Sequence, residues 1–198
     1  MSNAARGGHI EAMKWLKEHG IGVSTAKGGG WGPMHHAAIA GHVEAMKWLK
    51  QQGADINPVT GSAGQTPMHY AAGAGQVEAM KWLKEQGVDI NVRTQEGRTP
   101  MHIAVQDERV EAMEWLKGQG ADINAKTKDG GDTPMHIAAW SRKNIAVLEC
   151  LKKLGADINA KNAKGRTPLG NARESLPKGI DPEQNAVVRW LKNNGAKE

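Results

Sequence analysis

The chain has 198 residues, a formal net charge of +5 and a single cysteine, Cys150. It contains no apolar run approaching the about 18 residues that a membrane span needs, so we expect no contact with the bilayer interior. One cysteine excludes an internal disulfide and favours a reducing, intracellular compartment, although secretion as an effector stays an alternative.

A short motif, Gly-x-Thr-Pro-Met-His or a near variant, recurs along the chain at spacings of 34, 33, 34 and 34 residues. A period of this length is typical of stacked supersecondary units rather than one closed globule. It predicts one elongated domain, and it favours binding over catalysis. The prolines that mark the copies are Pro33, Pro67, Pro100, Pro134 and Pro168.

The first unit, residues 1–26, begins in mid-motif, because residues 4–11 match the centre of the later copies. Either its first helix is unusually short or the chain is a fragment of a longer array. Four full units are predicted to follow. They occupy 27–60, 61–93, 94–127 and 128–161.

The copy in 61–93 shows how each unit is predicted to fold. Thr66 and Pro67 are typical of a helix start, because a hydroxyl can cap free N–H groups and proline tolerates the first helical position. Residues 77–86 carry a broad apolar stripe that predicts a second helix, ended by Gly87. Each copy is therefore predicted to be a helix, a tight turn, a helix and a long polar turn.

The last unit, 162–198, departs from this pattern. An insertion from Glu174 to Gln184, which contains Pro177 and Pro182, separates its two predicted helices. Its final helix ends in polar residues, as a terminal cap should.

These motifs resemble the ankyrin repeat. The resemblance rests on Thr66-Pro67-Met68-His69-Tyr70-Ala71-Ala72 and Gly53-Ala54-Asp55-Ile56-Asn57, and it recurs over nearly the whole chain. It implies an all-α solenoid of stacked antiparallel helix pairs with projecting β-turn loops, about five and a half repeats long. It also implies protein–protein recognition through the turn tips and the first helices, which form the concave side.

Five tryptophans recur five residues before the glycine that ends each second helix, and they predict a ladder of core side chains. Cys150 takes this place in the fifth pair, where a small buried hydrophobe is expected. The ladder consists of Trp15, Trp48, Trp82, Trp115 and Trp190.

Four histidines recur once per copy at His35, His69, His102 and His136. Adjacent copies should lie roughly 10 Å apart, whereas metal ligands converge at about 2 Å from one ion. We therefore predict no metal site, and the resemblance implies that these histidines hydrogen-bond turn backbone.

Two further sets of polar residues are interpreted as parts of turns. The recurring asparagines Asn57, Asn91, Asn124 and Asn159 are expected to stabilise the turn after each second helix. Residues 129–132 lack the spaced carboxylates and terminal Glu of a calcium loop, so they are interpreted as a turn.

Many lysines fall on the second helices, three residues after a glutamate, which is the spacing of helical ion pairs. We interpret this pattern as a solvated face and expect no nucleic-acid partner, because clustered Arg with exposed aromatics is absent. The pairs are Glu11–Lys14, Glu44–Lys47 and Glu78–Lys81.

Residues at some positions differ from copy to copy on the expected contact side, whereas the scaffold residues repeat. Selection by a particular partner and drift at an unconstrained surface both predict this variability. The candidate partner-binding residues are Trp31, His36, Gln65, Tyr70, Arg98, Gln106, Asp107, Asp132, Trp140, Arg142 and Arg166.

Trp31 and Trp140 stand outside the ladder, three copies or roughly 30 Å apart at about 10 Å per copy. Tryptophan is favoured as an interface anchor, and this separation suits a protein surface or an extended peptide. The alternative for Trp140 is that it tilts inward to fill the space left by the smaller Cys150.

The sequence therefore predicts a non-catalytic scaffold that binds a protein or an extended peptide, without cofactor, metal or catalytic residues. The alternative is a targeting or substrate-recognition segment of a larger enzyme or bacterial effector; engineered origin is a third possibility, against which the unequal turn lengths count. We expect a monomer, with weak self-association possible through Met13 and Trp15 at the N-terminal edge.

Overall fold

The computed structural model describes residues 1–24, 30–141 and 144–197, and these ranges contain twelve α-helices, one 3-10 helix and no β-strand. The first helices of the pairs are α1 (Ser2–Arg6), α3 (Pro33–Ala40), α5 (Pro67–Ala74), α7 (Pro100–Gln106), α9 (Pro134–Ser141) and α11 (Pro168–Glu174). The second helices are α2 (Ile10–Glu18), α4 (Val43–Gln51), α6 (Val77–Glu85), α8 (Val110–Gly118), α10 (Ile145–Lys153) and α12 (Ala186–Asn193).

The helices form two layers that run the length of the molecule. Each first helix packs against the first helices before and after it, and each second helix does the same within its own layer. Each first helix also packs against the second helix of its own pair. This arrangement confirms the predicted solenoid of stacked helix pairs.

The predicted helix boundaries follow local chemistry. Thr66 precedes α5 with an extended backbone, and Pro67 occupies the first helical position, where its missing N–H costs nothing. The helix ends at Gly75, whose φ of 76° lies in the left-handed region that glycine adopts without strain.

The core lies between the two layers and is built from methionine, leucine and alanine. Met68, Met80 and Leu83 are completely buried, and each such side chain contributes about 1.5–3 kcal/mol on burial. Ala71 and Ala72 are also fully buried, and their small size permits close approach of neighbouring first helices.

The predicted tryptophan ladder is correct only in part. Trp48 and Trp82 are buried, whereas Trp115 and Trp190 are only half-buried, although the helix of Trp115 also has a second helix on each side. The prediction is wrong for Trp15, which is 57% exposed and stacks on His19. Its helix α2 packs against α4 in the layer of second helices, and more than half of the indole surface stays in contact with water.

Cys150 is buried as predicted, and its burial raises the pKa of the thiol. A buried thiol with a raised pKa is a poor nucleophile, because the thiolate is the reactive form. This side chain therefore acts as a small core residue.

The insertion in the last unit folds into a 3-10 helix at Pro182–Gln184. Its Glu183 carboxylate pairs with Arg173 on α11 and with Lys192 on α12, which ties the insertion to both helices. These two cations lower the pKa of Glu183. No helix in the described ranges is long and apolar enough to cross a membrane.

Candidate functional site

The side chains that vary between copies are presented by the turns that precede the first helices. In three of these turns a threonine hydroxyl accepts the N–H of the variable residue: Thr60 Oγ1 from Gln65 at 3.2 Å, Thr94 Oγ1 from Arg98 at 3.1 Å, and Thr127 Oγ1 from Asp132 at 3.0 Å. In the last turn, Asn162 Oδ1 accepts the N–H of Arg166. Each turn thus fixes the backbone of one candidate contact residue.

Successive turns stack directly on one another. The backbone N–H of Lys128 donates to the carbonyl of Glu96 at 2.8 Å. A Cβ atom at Gly97 would lie 2.6 Å from the Lys128 nitrogen, and Gly97 has a φ of 75°, so only glycine fits here. The turns consequently form a continuous row along one edge of the molecule.

The recurring histidines connect each turn to the next. The Nδ1 atom of His69 accepts the backbone N–H of Thr66 at 3.2 Å, so its Nε2 atom carries the proton and donates to the Arg98 carbonyl at 3.1 Å. His102 bonds in the same way to Thr99 and to the carbonyl of Asp132. The predicted role in hydrogen-bonding turn backbone is confirmed.

Burial keeps these rings neutral. It lowers the pKa of His69 and of His102 to about 4, although the carbonyl acceptors oppose this shift. With both nitrogens occupied by backbone groups, the rings have no lone pair left for a metal. In the described ranges, no group of three or more His, Cys, Asp or Glu side chains could hold a metal ion.

Asparagines add a second connection between turns. The Oδ1 atom of Asn91 accepts the N–H of Asp122 at 2.9 Å, and Asn124 accepts that of Asp157 at 2.8 Å. Asn159 Oδ1 likewise accepts the N–H of Lys197 at 2.6 Å. The expected turn-stabilising role is therefore confirmed for these three asparagines, with the partner in the chain that follows.

On the side of the first helices and turns, the variable residues line two cavities. The smaller cavity, of about 400 Å³, has an aromatic corner in which the rings of Trp31 and Tyr70 lie 4.3 Å apart between centroids. Trp31 is 44% exposed, and the aliphatic side chains of Ile39 and Ile103 complete the apolar wall. Gln65 and Asp107 also line this cavity.

Neighbouring groups hold the aromatic corner in place. The Tyr70 hydroxyl donates to Thr60 Oγ1 at 3.5 Å, and burial raises the pKa of this phenol. His36 packs beside Trp31, with 5.6 Å between ring centroids, and its pKa is lowered by burial and then by Arg6. His36 therefore supports Trp31 from the side rather than lining the cavity.

The larger cavity, of about 600 Å³, lies between α7, α9 and α11. Trp140 and Ile137 give it an apolar wall, and Arg166 and Asp132 line its turn side. Trp140 is 51% exposed, so the alternative that it tilts inward to compensate for Cys150 is wrong.

Arg98 and Gln106 line both cavities and form the partition between them. Arg98 Nη1 donates to Gln106 Oε1 at 2.6 Å, and Arg98 Nε lies 3.1 Å from the exposed carboxylate of Glu96. The two cavities are therefore consecutive parts of one groove, with a guanidinium at the centre.

The charges around the larger cavity do not cancel. Asp132 Oδ1 accepts hydrogen bonds from the amides of Asn162 and Asn171 at 2.8 and 3.2 Å, and Glu174 pairs with Arg166. Lys164 also lines the cavity, without an ion-pair partner in the described part of the chain. The residues that line the cavity therefore carry three cations, Arg98, Lys164 and Arg166, against two carboxylates, and the exposed Glu96 outside the lining lies beside Arg98.

In the smaller cavity, burial raises the pKa of Asp107, and the Arg109 guanidinium opposes that shift. Arg109 Nε donates to the carbonyl of Gly73 at 2.9 Å. The guanidinium of Arg109, which belongs to the fourth helix pair, therefore lies against the first helix of the third pair. This contact closes one end of the cavity floor.

Nine of the eleven candidate residues therefore line one or both cavities. His36 lies behind Trp31, and Arg142 lies outside the described residues. The structure also adds lining residues that the sequence interpretation missed: Arg109, Asn162, Lys164, Asn171 and Glu174.

A sequence signal existed for Arg109. The position before each second helix holds His42 and Gln76 in the two preceding copies and Asn144 in the next. The residue at this position therefore varies between copies, as do the candidate partner-binding residues.

The geometry agrees with a comparison against protein families. The family model described as ankyrin repeats (3 copies) matches residues 1–60, 52–127 and 89–162. A search of curated protein sequences found no match.

Proposed function

The chain belongs to the ankyrin-repeat family, whose members generally bind other proteins, and we propose that this chain binds a protein partner through the groove formed by its two cavities. The observation that carries the proposal is the convergence of nine variable residues, from five different helix pairs and their turns, on one groove. No catalytic function is assigned to it.

The groove is preordered. Its turn residues are held by threonine hydroxyls, by the histidine bonds to their carbonyls and by turn-to-turn backbone bonds. A surface that is already ordered loses little conformational entropy on binding, so more of the contact energy appears as affinity.

The groove also has the composition of a protein interface. Trp31, Trp140 and Arg98 belong to the residue types that dominate binding energy at interfaces, and both indoles are about half exposed. Around them lie polar side chains such as Gln65 and Gln106, which suit the rim of such a surface.

Site-specific photo-crosslinking tests this proposal. Gln65, which lines the groove, is replaced by a photo-reactive phenylalanine analogue, and the protein is irradiated in extract from its native cell. We expect a discrete protein adduct. It should be lost when Trp31→Ala and Arg98→Glu are added, because the two substitutions remove an anchor and reverse the central charge.

The matched control places the same photo-reactive residue at Glu44, on the exposed face of α4. A second control adds Trp15→Ala and Lys14→Glu to the Gln65 protein, which removes an indole and reverses a positive charge away from the groove. Equal adducts from Gln65 and Glu44, or an adduct that survives the groove substitutions, would refute groove binding.

A further inference from the structure

The two cavities differ in chemistry, and their order along the groove specifies more than a general protein surface. Both have an indole in an apolar wall, and the Arg98 guanidinium lies between them. A ligand that occupies both must therefore offer an apolar group at each end and a group that suits an arginine in the middle.

We propose that the groove binds an extended peptide segment of its partner, with two bulky apolar side chains about six residues apart and an acidic residue between them. This inference rests on the proposed function and adds the chemistry of the bound segment.

The spacing follows from the repeat geometry. The aromatic corner centres on the third helix pair at Tyr70, and the apolar wall of the larger cavity centres on the fifth at Ile137. The Trp31 ring belongs to this corner, because its centroid lies 4.3 Å from that of Tyr70 in the following copy. Two steps of about 10 Å each therefore separate the two apolar walls by roughly 20 Å, less than the three-copy distance between the backbones of Trp31 and Trp140. An extended chain advances about 3.3 Å per residue, so roughly six residues cover those 20 Å.

The central acid follows from the donors of Arg98. Its guanidinium has five N–H groups in a fixed fork. One donates to Gln106, and the exposed Glu96 carboxylate lies 3.1 Å from Nε as an ion-pair partner. The Nη2 donors remain for a ligand carboxylate. Lys164 adds a second positive charge on the side of the larger cavity.

The apolar ends follow from exposure. Trp31 and Trp140 are 44% and 51% exposed although each stands next to an isoleucine in the cavity wall. Covering these surfaces removes apolar area from water, and aromatic residues are the most frequent anchors at interfaces. Cavities of about 600 and 400 Å³ fall within the size range of ligand-binding clefts.

A displayed library of random 12-residue peptides, selected on the immobilised full chain, tests the inference. Wild type should enrich peptides that have two large apolar positions about six residues apart and Asp or Glu between them. Enrichment of peptides without this pattern would overturn the inference.

Three variants are expected to remove the features one at a time. Trp31→Ala should abolish the preference at one apolar position, Trp140→Ala at the other, and Arg98→Gln at the acidic position alone. Because all three side chains are partly exposed, the variants should remain folded, which circular dichroism checks. A variant that weakens every peptide position equally would contradict a position-specific role.

The affinity of the best enriched peptide provides a quantitative readout. Replacing its acidic residue by the amide should weaken binding to wild type about tenfold, the usual effect of losing one charge-assisted hydrogen bond. The same replacement should have little effect on Arg98→Gln. An equal loss in both proteins would show that the acid is recognised elsewhere and would overturn the central contact.

The outcomes separate this inference from the proposed function. If the library enriches no peptide while the Gln65 crosslinker captures a protein specifically, the extended-peptide ligand is refuted and groove binding stands. If the crosslinker also captures nothing, both are refuted.

Discussion

Trp82 and Trp140 show how two regions of this molecule use the same residue type. In the layer of second helices Trp82 is 7% exposed and belongs to the core, whereas Trp140 on the groove side of the first helices is 51% exposed. The first recurs with the repeat period and the second does not. In this chain a repeated bulky residue supports stacking, and an unrepeated one on the groove side is free to contact a partner.

The largest expected effect concerns the stacked layer. Trp82→Ala should lower the free energy of unfolding by about 3–5 kcal/mol, because it removes a large buried side chain and leaves a cavity. Chemical denaturation measures the loss. Trp15→Ala is the matched control at the equivalent exposed position and should cost less than about 1 kcal/mol; equal losses would contradict the difference in burial.

The second prediction concerns the buried histidines. The pKa of His102 is about 4 in the folded protein against 6.5 ordinarily, so the unfolded chain takes up a proton first as the pH falls. Its contribution is therefore complete above about pH 6.5 and is lost between that value and about pH 4. The difference in pKa corresponds to about 3 kcal/mol.

Denaturation curves at a series of pH values check this effect. His102→Gln should show a shallower loss of stability than wild type over that interval, because the titrating group is gone. His9→Gln, at an exposed position, is the control and should follow wild type. Identical profiles for wild type and His102→Gln would show that the buried ring does not drive the acid sensitivity.

A smaller loss of stability is expected when one of the asparagine hydrogen bonds between turns is removed. Asn124→Ala should cost about 1 kcal/mol, the usual contribution of one hydrogen bond, because the N–H of Asp157 loses its acceptor. Thermal unfolding should therefore shift to lower temperature. Asn57→Ala provides the control, since Asn57 is exposed and its side chain makes no such bond within the described residues; a shift as large there would contradict a specific role for Asn124.

The smallest expected effect lies on the groove. Trp140→Ala should change the free energy of unfolding by less than about 1 kcal/mol, because half of the indole already contacts water. Urea denaturation of the Trp140→Ala and Trp82→Ala variants under the same conditions compares their losses of unfolding free energy. A loss comparable to that of Trp82→Ala would mean that Trp140 belongs to the core, and the distinction between the two regions would fail.

Repetition explains why much of the fold could be predicted. The Thr-Pro starts and the glycine ends of the helices depend on neighbours within a few residues, and each of these signals occurs several times along the chain. The recurrence of tryptophan at the same position in five copies also predicted that Trp15 would lie in the core with the rest of the ladder. It failed there because burial depends on which helices pack around each indole, and a local pattern carries no information about those neighbours.

The groove could be predicted only as a set of variable positions. Sequence variation indicated Trp31, Arg98 and Trp140, but it did not show that Arg98 would lie on both cavities. Nor did it show that the Asp132 carboxylate, which lines the larger cavity, would accept hydrogen bonds from two amides of the last unit. Those amides are 30 and 39 residues away along the chain, beyond the reach of a pattern within one copy.

The sequence by itself determined the repeat length and the order of the helices, because both follow from local helix capping and apolar periodicity. Tertiary structure alone decided which varied side chains meet and where the arginine lies between two apolar walls. The physical reason is that stacking brings together residues more than 30 positions apart, and the shape of a groove depends on their combined packing.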